Sequence, residues 1–269
     1  MAFSNLLAQS AEQIALAAAP LVAVLVLGAS VAEVGWLQVA LTLPFLFFAI
    51  PAGLLADRMS KQRLMAYAEG LRAASLVTIM VLLFLEQLTL PLLAIVGLAG
   101  VCGTVVFTVA APALVPSIVP SCLFGKANSR LELAATLAFM AGPAIGGALV
   151  GWTGAAAAFG LACALSIYAT ALLHRVEEPV RPPVVYKNPF VEIREGASFV
   201  FGHQHLAPIF ATQFVFNAAF FVLMAVFVPY AVRNLNMSAS EVGFVMSTLG
   251  AGMFLGAFGA PRVLHLLPF

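Results

Sequence analysis

"SVAEVGW" (Ser30–Trp36) returns near the other end of the chain as "SASEVGF" (Ser238–Phe244), an offset of 208 residues. Four of the seven positions are identical, and Trp36 is matched by Phe244. Each copy stands just ahead of, or at the start of, a long apolar run. A repeated corner leading into a repeated apolar segment points to an architecture duplicated within the chain. What that architecture is depends on the solvent the chain is built for.

Composition names the solvent. Of 269 residues, 63% are hydrophobic and only 9% are charged, where a soluble domain carries roughly a quarter. That much apolar surface belongs in lipid. A bilayer admits helices of about 20 apolar residues or closed barrels. The apolar runs are long and continuous, without the alternating segments of about ten residues that mark a barrel. The chain therefore reads as an all-α membrane protein whose first partner is the lipid bilayer. A net charge of +1 leaves no basic surface for nucleic acid. Cys102, Cys122 and Cys163 lie far apart, with no CxxC spacing, and read as packing residues. "MAFSNLLAQSAEQ" has no basic n-region or clear cleavage site, so it reads as the start of the first helix.

Eight spans are expected, near residues 4–27, 35–56, 62–85, 91–111, 128–150, 153–173, 206–231 and 240–261. They divide the chain into a six-helix unit (1–173), a hydrophilic linker (174–205) and a further pair of helices (206–269). Pro179, Pro182, Pro183 and Pro189 keep the first part of the linker extended. From Val191 onward, Ile193, Ala197 and Val200 fall on one face of a short amphipathic helix.

Basic residues orient the chain. With the N-terminus in the cytoplasm, the inner loops hold Arg58, Lys61, Arg63, Lys126, Arg130, Arg175, Arg181, Lys187 and Arg194, and Arg262 follows the eighth span on the same side. The outer loops hold only Arg233, and Arg72 lies within the third span. This asymmetry favours a cytoplasmic N-terminus in a cell (inner) membrane. Both copies of the repeat then lie on the outer face with the same orientation. That implies parallel six-helix halves related by an axis along the membrane normal, here as six spans plus two. Adding the offset to "GLLADRMSKQRL" (Gly53–Leu64) reaches or passes Pro261, while the chain ends at Phe269. Spans three to six have no second copy, so the expectation is a chain lacking its last four helices.

Two motifs now carry a resemblance. "GLLADRMSKQRL" resembles the loop signature of the major facilitator superfamily, with Gly53, Asp57, Arg58, Lys61 and Arg63 fitting it and Ser60 departing from the usual glycine. "GPAIGG" (Gly142, Pro143, Gly146 and Gly147 among its residues) is similar to the core of the helix-five signature of the superfamily's antiporters. Small Ser129 and Ala138 replace that signature's upstream glycines. With "EIREGASFVF" before the seventh span, the whole chain looks most like enterobactin-exporter-like permeases. The resemblance implies a secondary active transporter working by alternating access, monomeric at full length. It also implies that Asp57 and the basic residues of its loop pair across the halves, helix two against helix eleven.

Without the resemblance, the loop charges read as cytoplasmic anchors. Asp57, just past a helix C-terminus, sits where the macrodipole disfavours an anion unless a partner is present. In "GPAIGG" small residues permit close helix approach and Pro143 bends the helix. Glu12 lies about two turns into the first helix, beside Gln9 and Gln13 on one face. A carboxylate at that depth costs several kcal/mol if it faces lipid. It belongs in a wet cavity contacting substrate or protons, or near the headgroups. Thr104 with Thr108, and Gln213 with Asn217, are i,i+4 pairs that share a face. They line the substrate path or bond within and between helices. Glu69 and Arg72, three residues apart, neutralise each other inside the bundle or relay charge. "HQH" (His203–His205) has too few companions for a metal site.

The expected function is proton-coupled export of a small amphipathic molecule, siderophore-like or drug-like. No P-loop is present, so ATP is not the expected energy source; no cofactor is expected, and the resemblance implies a proton gradient instead. Without HExxH or GxSxG an enzyme is not expected. Uptake, facilitated diffusion and a non-functional fragment are the rival readings.

Overall fold

The structure, a computed structural model, describes residues 2–176, 178 and 189–264. The proline-rich first part of the linker (Pro179, Pro182, Pro183, with Arg181 and Lys187) falls outside the described residues. Pro189 opens a helix.

The elements are α1 (Ala2–Leu25), α2 (Val31–Arg58), α3 (Lys61–Phe84), α4 (Leu90–Ile118), a 3-10 turn (Ser121–Leu123), α5 (Phe124–Trp152), α6 (Ala155–Leu173), α7 (Pro189–Gly202), α8 (Leu206–Asn234) and α9 (Ala239–Leu264). Eight of the helices are long and apolar enough to cross a membrane. The exception is α7, with 14 residues. It covers the stretch where the short amphipathic helix is expected.

Several helices outrun their apolar spans, because caps rather than hydropathy set helix ends. Ser30 caps α2, so that helix starts at Val31 and not near residue 35. α4 runs on to Ile118 through Pro112 and Pro116. Their missing N–H groups are tolerated where neighbouring side chains and helices take up the freed carbonyls.

The repeat is a repeat of hydrogen bonds. After α1, the N–H of Leu27 donates to Val22 O and that of Ala29 to Ala23 O. After α8, Leu235 donates to Tyr230 O and Met237 to Ala231 O, each bond displaced by the same 208 residues. Gly28 (φ 65°) and Asn236 (φ 53°) occupy matching left-handed positions, which glycine and asparagine tolerate best. The following serine and glutamate form a capping box in both copies. The Glu33 carboxylate accepts from Ser30 N–H at 2.7 Å, and Glu241 accepts from Ser238 N–H at 2.7 Å. Ser30 Oγ accepts from Glu33 N–H at 3.3 Å, and Ser238 Oγ from Glu241 N–H at 3.4 Å.

The helices pack α1 against α5 and α6, α3 against α4 and α6, α2 against α4, and α5 against α9. Glycine permits a close crossing of α5 and α9. A Cβ added to Gly147 of α5 would stand 2.8 Å from Gly243 Cα of α9, so backbone meets backbone there. Gly243 belongs to the second copy of the repeat. Its counterpart Gly35 has open space where a Cβ would go. In α8 the buried residues are Val228, Pro229 and Ala231, all near its C-terminal end. That end reaches α1 and α2.

Candidate functional site

A buried charge cluster forms where α1, α3, α4 and α6 meet. Glu69 and Arg72 are one helical turn apart on α3, which places their heads together. Arg72 Nη1 lies 2.8 Å from Glu69 Oε1, with side-chain exposures of 4% and 0%. Ser166 of α6 donates to the other oxygen, Glu69 Oε2, at 2.6 Å. Arg72 Nη1 also donates to Ala8 O of α1 (2.8 Å) and Nη2 to Thr104 Oγ1 of α4 (2.8 Å). The guanidinium lies 5.9 Å from the centre of the Phe107 ring, within cation–π range.

Glu12 of α1 is the third charge. Its Oε2 is 3.7 Å from Arg72 Nη2, and its side chain keeps 11% exposure. One guanidinium therefore serves two carboxylates. Glu69 is locked by a close ion pair and a hydroxyl, whereas Glu12 is held by charge alone at a longer distance. Bringing a second carboxylate into such a place is costly unless it is wet or protonated.

Glu12 stands at the junction of two cavities. One, of about 50 Å³, lies behind it among Arg72, Ser75, Thr104 and the α4 glycines Gly97 and Gly100. The other, of about 220 Å³, lies in front, between α1, α2, α5, α8 and α9. Its polar wall is Glu12, Gln13, Gln38 and Thr42, and its apolar wall includes Phe45, Phe139, Phe220, Phe221, Met224 and Met246. A wider apolar groove of about 850 Å³ between α8 and α9 shares Phe220, Met224 and Met246 with it. Aromatic rings and methionines around a few polar groups suit a bulky amphipathic solute, since methionine side chains adapt their shape.

Of the residues singled out in the sequence, Glu12 and Gln13 line the central cavity. Gln9 is half-buried on α1, one turn away. Thr104 is committed to Arg72, and Thr108 is exposed. Gln213 and Asn217 are exposed, and the Asn217 amide donates to the Gln213 carbonyl of its own helix at 2.8 Å. Gln38 and Thr42 are cavity residues that the sequence reading missed. Their i,i+4 spacing on α2 is the signal that could have found them. No group of three or more His, Cys, Asp or Glu among the described residues could hold a metal ion.

"GPAIGG" lies against α9. Ala144 N–H donates to Ser247 Oγ of α9 at 2.9 Å, one residue after Pro143. The turn between α2 and α3 is short: Asp57 and Arg58 are still helical, and Ser60 caps α3 by accepting from Arg63 N–H at 3.3 Å. Ser60 Oγ donates to Glu178 at 2.9 Å, and Gln62 N–H donates to the same oxygen at 3.0 Å. The serine that departs from the usual glycine thus ties the start of α3 to the residues beyond α6. Gln62 adds a bond from Nε2 to Leu173 O at 2.8 Å. Asp57, Arg58 and Lys61 each have an interaction partner as well.

Comparison with known proteins places this geometry. The profile described as transmembrane secretion effector matches residues 6–268. Among solved structures, a bacterial homologue of the human lysosomal transporter Spinster, inward-facing and unoccupied, superposes with a TM-score of 0.71 at 18% identity. The match covers 96% of this chain and 62% of that one. The same kind of homologue in an inward-facing, occupied conformation gives 0.63 at 19% identity, covering 97% and 59%. The chain thus spans about three-fifths of the length of the structures it resembles. No curated protein matches the sequence significantly.

Proposed function

Since the chain belongs to the transmembrane secretion effector family of the major facilitator superfamily, whose members are transporters and not enzymes, we propose that it serves proton-coupled export of a small amphipathic molecule. Residues 1–173 act as one six-helix half, 174–205 as the cytoplasmic linker and 206–269 as the opening helices of the second half. The halves rock around the central cavity in a cell membrane, with the N-terminus cytoplasmic.

The observation that carries this reading is Glu12. It faces the central cavity on one side and the Arg72–Glu69 pair on the other. A proton arriving from the cavity neutralises Glu12 and leaves Arg72 matched one-to-one with Glu69. Its departure restores the second carboxylate. The cavity wall changes charge with each proton while the pair behind it stays intact. The aromatic and methionine wall supports an amphipathic cargo, and the family's description supports the outward direction. The turn around Asp57 serves as the gate on the linker side. The test uses reconstituted vesicles with an imposed pH gradient and ethidium as the amphipathic probe. Glu12→Gln is expected to remove the gradient dependence of ethidium movement. Ethidium movement with an unchanged gradient dependence in that variant contradicts the proposal.

A further inference from the structure

At the membrane face away from the linker, two helix C-termini converge. α1 ends at Leu25 and turns through Gly28, while α8 ends at Asn234 and turns through Asn236. Each end carries the negative pole of a helix dipole, although the turn that follows it already satisfies some of its carbonyls. Left alone, the two ends would repel.

Arg233, in the last turn of α8, answers both. Its Nη2 donates to Gly28 O at 3.3 Å and also to Ala29 O. The left-handed turn at Gly28 forms the corner that carries these acceptors. Nearby, Leu21 of α1, Val228 and Ala231 of α8, and Ala239 and Val242 of α9 form a buried apolar cluster. A polar clasp over an apolar plug closes this end. The duplication underlines the point. The turn bonds and capping boxes of the two corners match, yet the position equivalent to Arg233 in the first copy is Leu25.

We infer that Arg233 is a positioning residue that latches the linker-distal mouth of the cavity shut, and that the latch must release for that mouth to open. This rests on the alternating-access reading above.

The test places a cysteine in the cavity wall, Thr42→Cys, in the full chain with Cys102, Cys122 and Cys163 replaced. A membrane-impermeant maleimide is then added to one face of sealed vesicles at a time. With Arg233 present, labelling is expected from the linker face and to be slow from the far face. Arg233→Ala should raise the far-face rate about tenfold, the shift expected from losing one charge-assisted hydrogen bond. Linker-face labelling should persist, which reports an intact fold. Arg233→Gln, keeping a neutral donor, should fall between. A far-face rate unchanged in both variants overturns the latch and leaves alternating access standing. Equal labelling from both faces before any change at Arg233 overturns the alternating-access reading, and the latch with it.

Discussion

The Glu12 carboxylate stands 3.7 Å from Nη2 of Arg72, near enough to feel the charge and too far to share a hydrogen bond. Glu69, by contrast, meets the same guanidinium at 2.8 Å. The difference separates a structural carboxylate from an available one. Arg72 should therefore matter to folding before it matters to transport. Arg72→Leu leaves two carboxylates without their cation and should cost about 3–5 kcal/mol. Arg72→Lys should cost less, because it keeps the charge and loses the fork that reaches Ala8 O and Thr104 at once. Thermal unfolding in detergent of the two variants measures the order.

Much of this was legible in the sequence. Composition identified lipid as the solvent, and the identities shared by Ser30–Trp36 and Ser238–Phe244 exposed the duplicated corner, whose local chemistry then proved to be a helix cap. Glu69 and Arg72 could be paired from helical spacing alone. What stayed hidden depends on which helices meet. Gly243 looked like one more small residue until α9 met α5. Arg233 looked like a stray outer charge until the end of α1 supplied its acceptors. Gln213 and Asn217 share a face as their spacing requires, but the Asn217 amide bonds back to its own helix. Helical spacing says which residues are neighbours and not what faces them.

The two capping boxes have the same geometry and should have the same worth. Ser30→Ala and Ser238→Ala are each expected to destabilise by about 1 kcal/mol. Equal shifts in unfolding midpoint support a structural repeat. A cost at one corner alone would show that the corners are not energetically equivalent.

The α5–α9 crossing depends on the absence of side chains. Gly243→Val must drive a branched side chain into the Pro143–Gly147 backbone and is expected to force the helices apart, at a cost of about 1–3 kcal/mol or more. A disulfide between Ala144→Cys and Ser247→Cys, whose parent residues share a 2.9 Å hydrogen bond, reports the contact. It should form readily with Gly243 and fail with valine.

Glu178 receives two hydrogen bonds at the start of α3, where the helix dipole welcomes an anion. Glu178→Ala is expected to loosen that turn and leave the rest of α3 unchanged. Hydrogen exchange should rise at Gln62 and Arg63 and stay constant at the buried Arg72.

The linker-side turn gives a further expectation. Asp57→Asn should slow gradient-driven ethidium movement while membrane insertion and yield stay normal. Unaltered movement would remove Asp57 from the gate.

In the proposed cycle Glu12, and not Glu69, is the carboxyl that exchanges protons with the cavity. Infrared difference spectra of the full chain in lipid, taken between acid and alkaline pH, read protonated carboxyl groups directly. A carboxylic C=O band that titrates with pH is expected, lost in Glu12→Gln and persisting in Glu69→Gln. A band that survives Glu12→Gln, or one that disappears only with Glu69→Gln, would contradict that cycle.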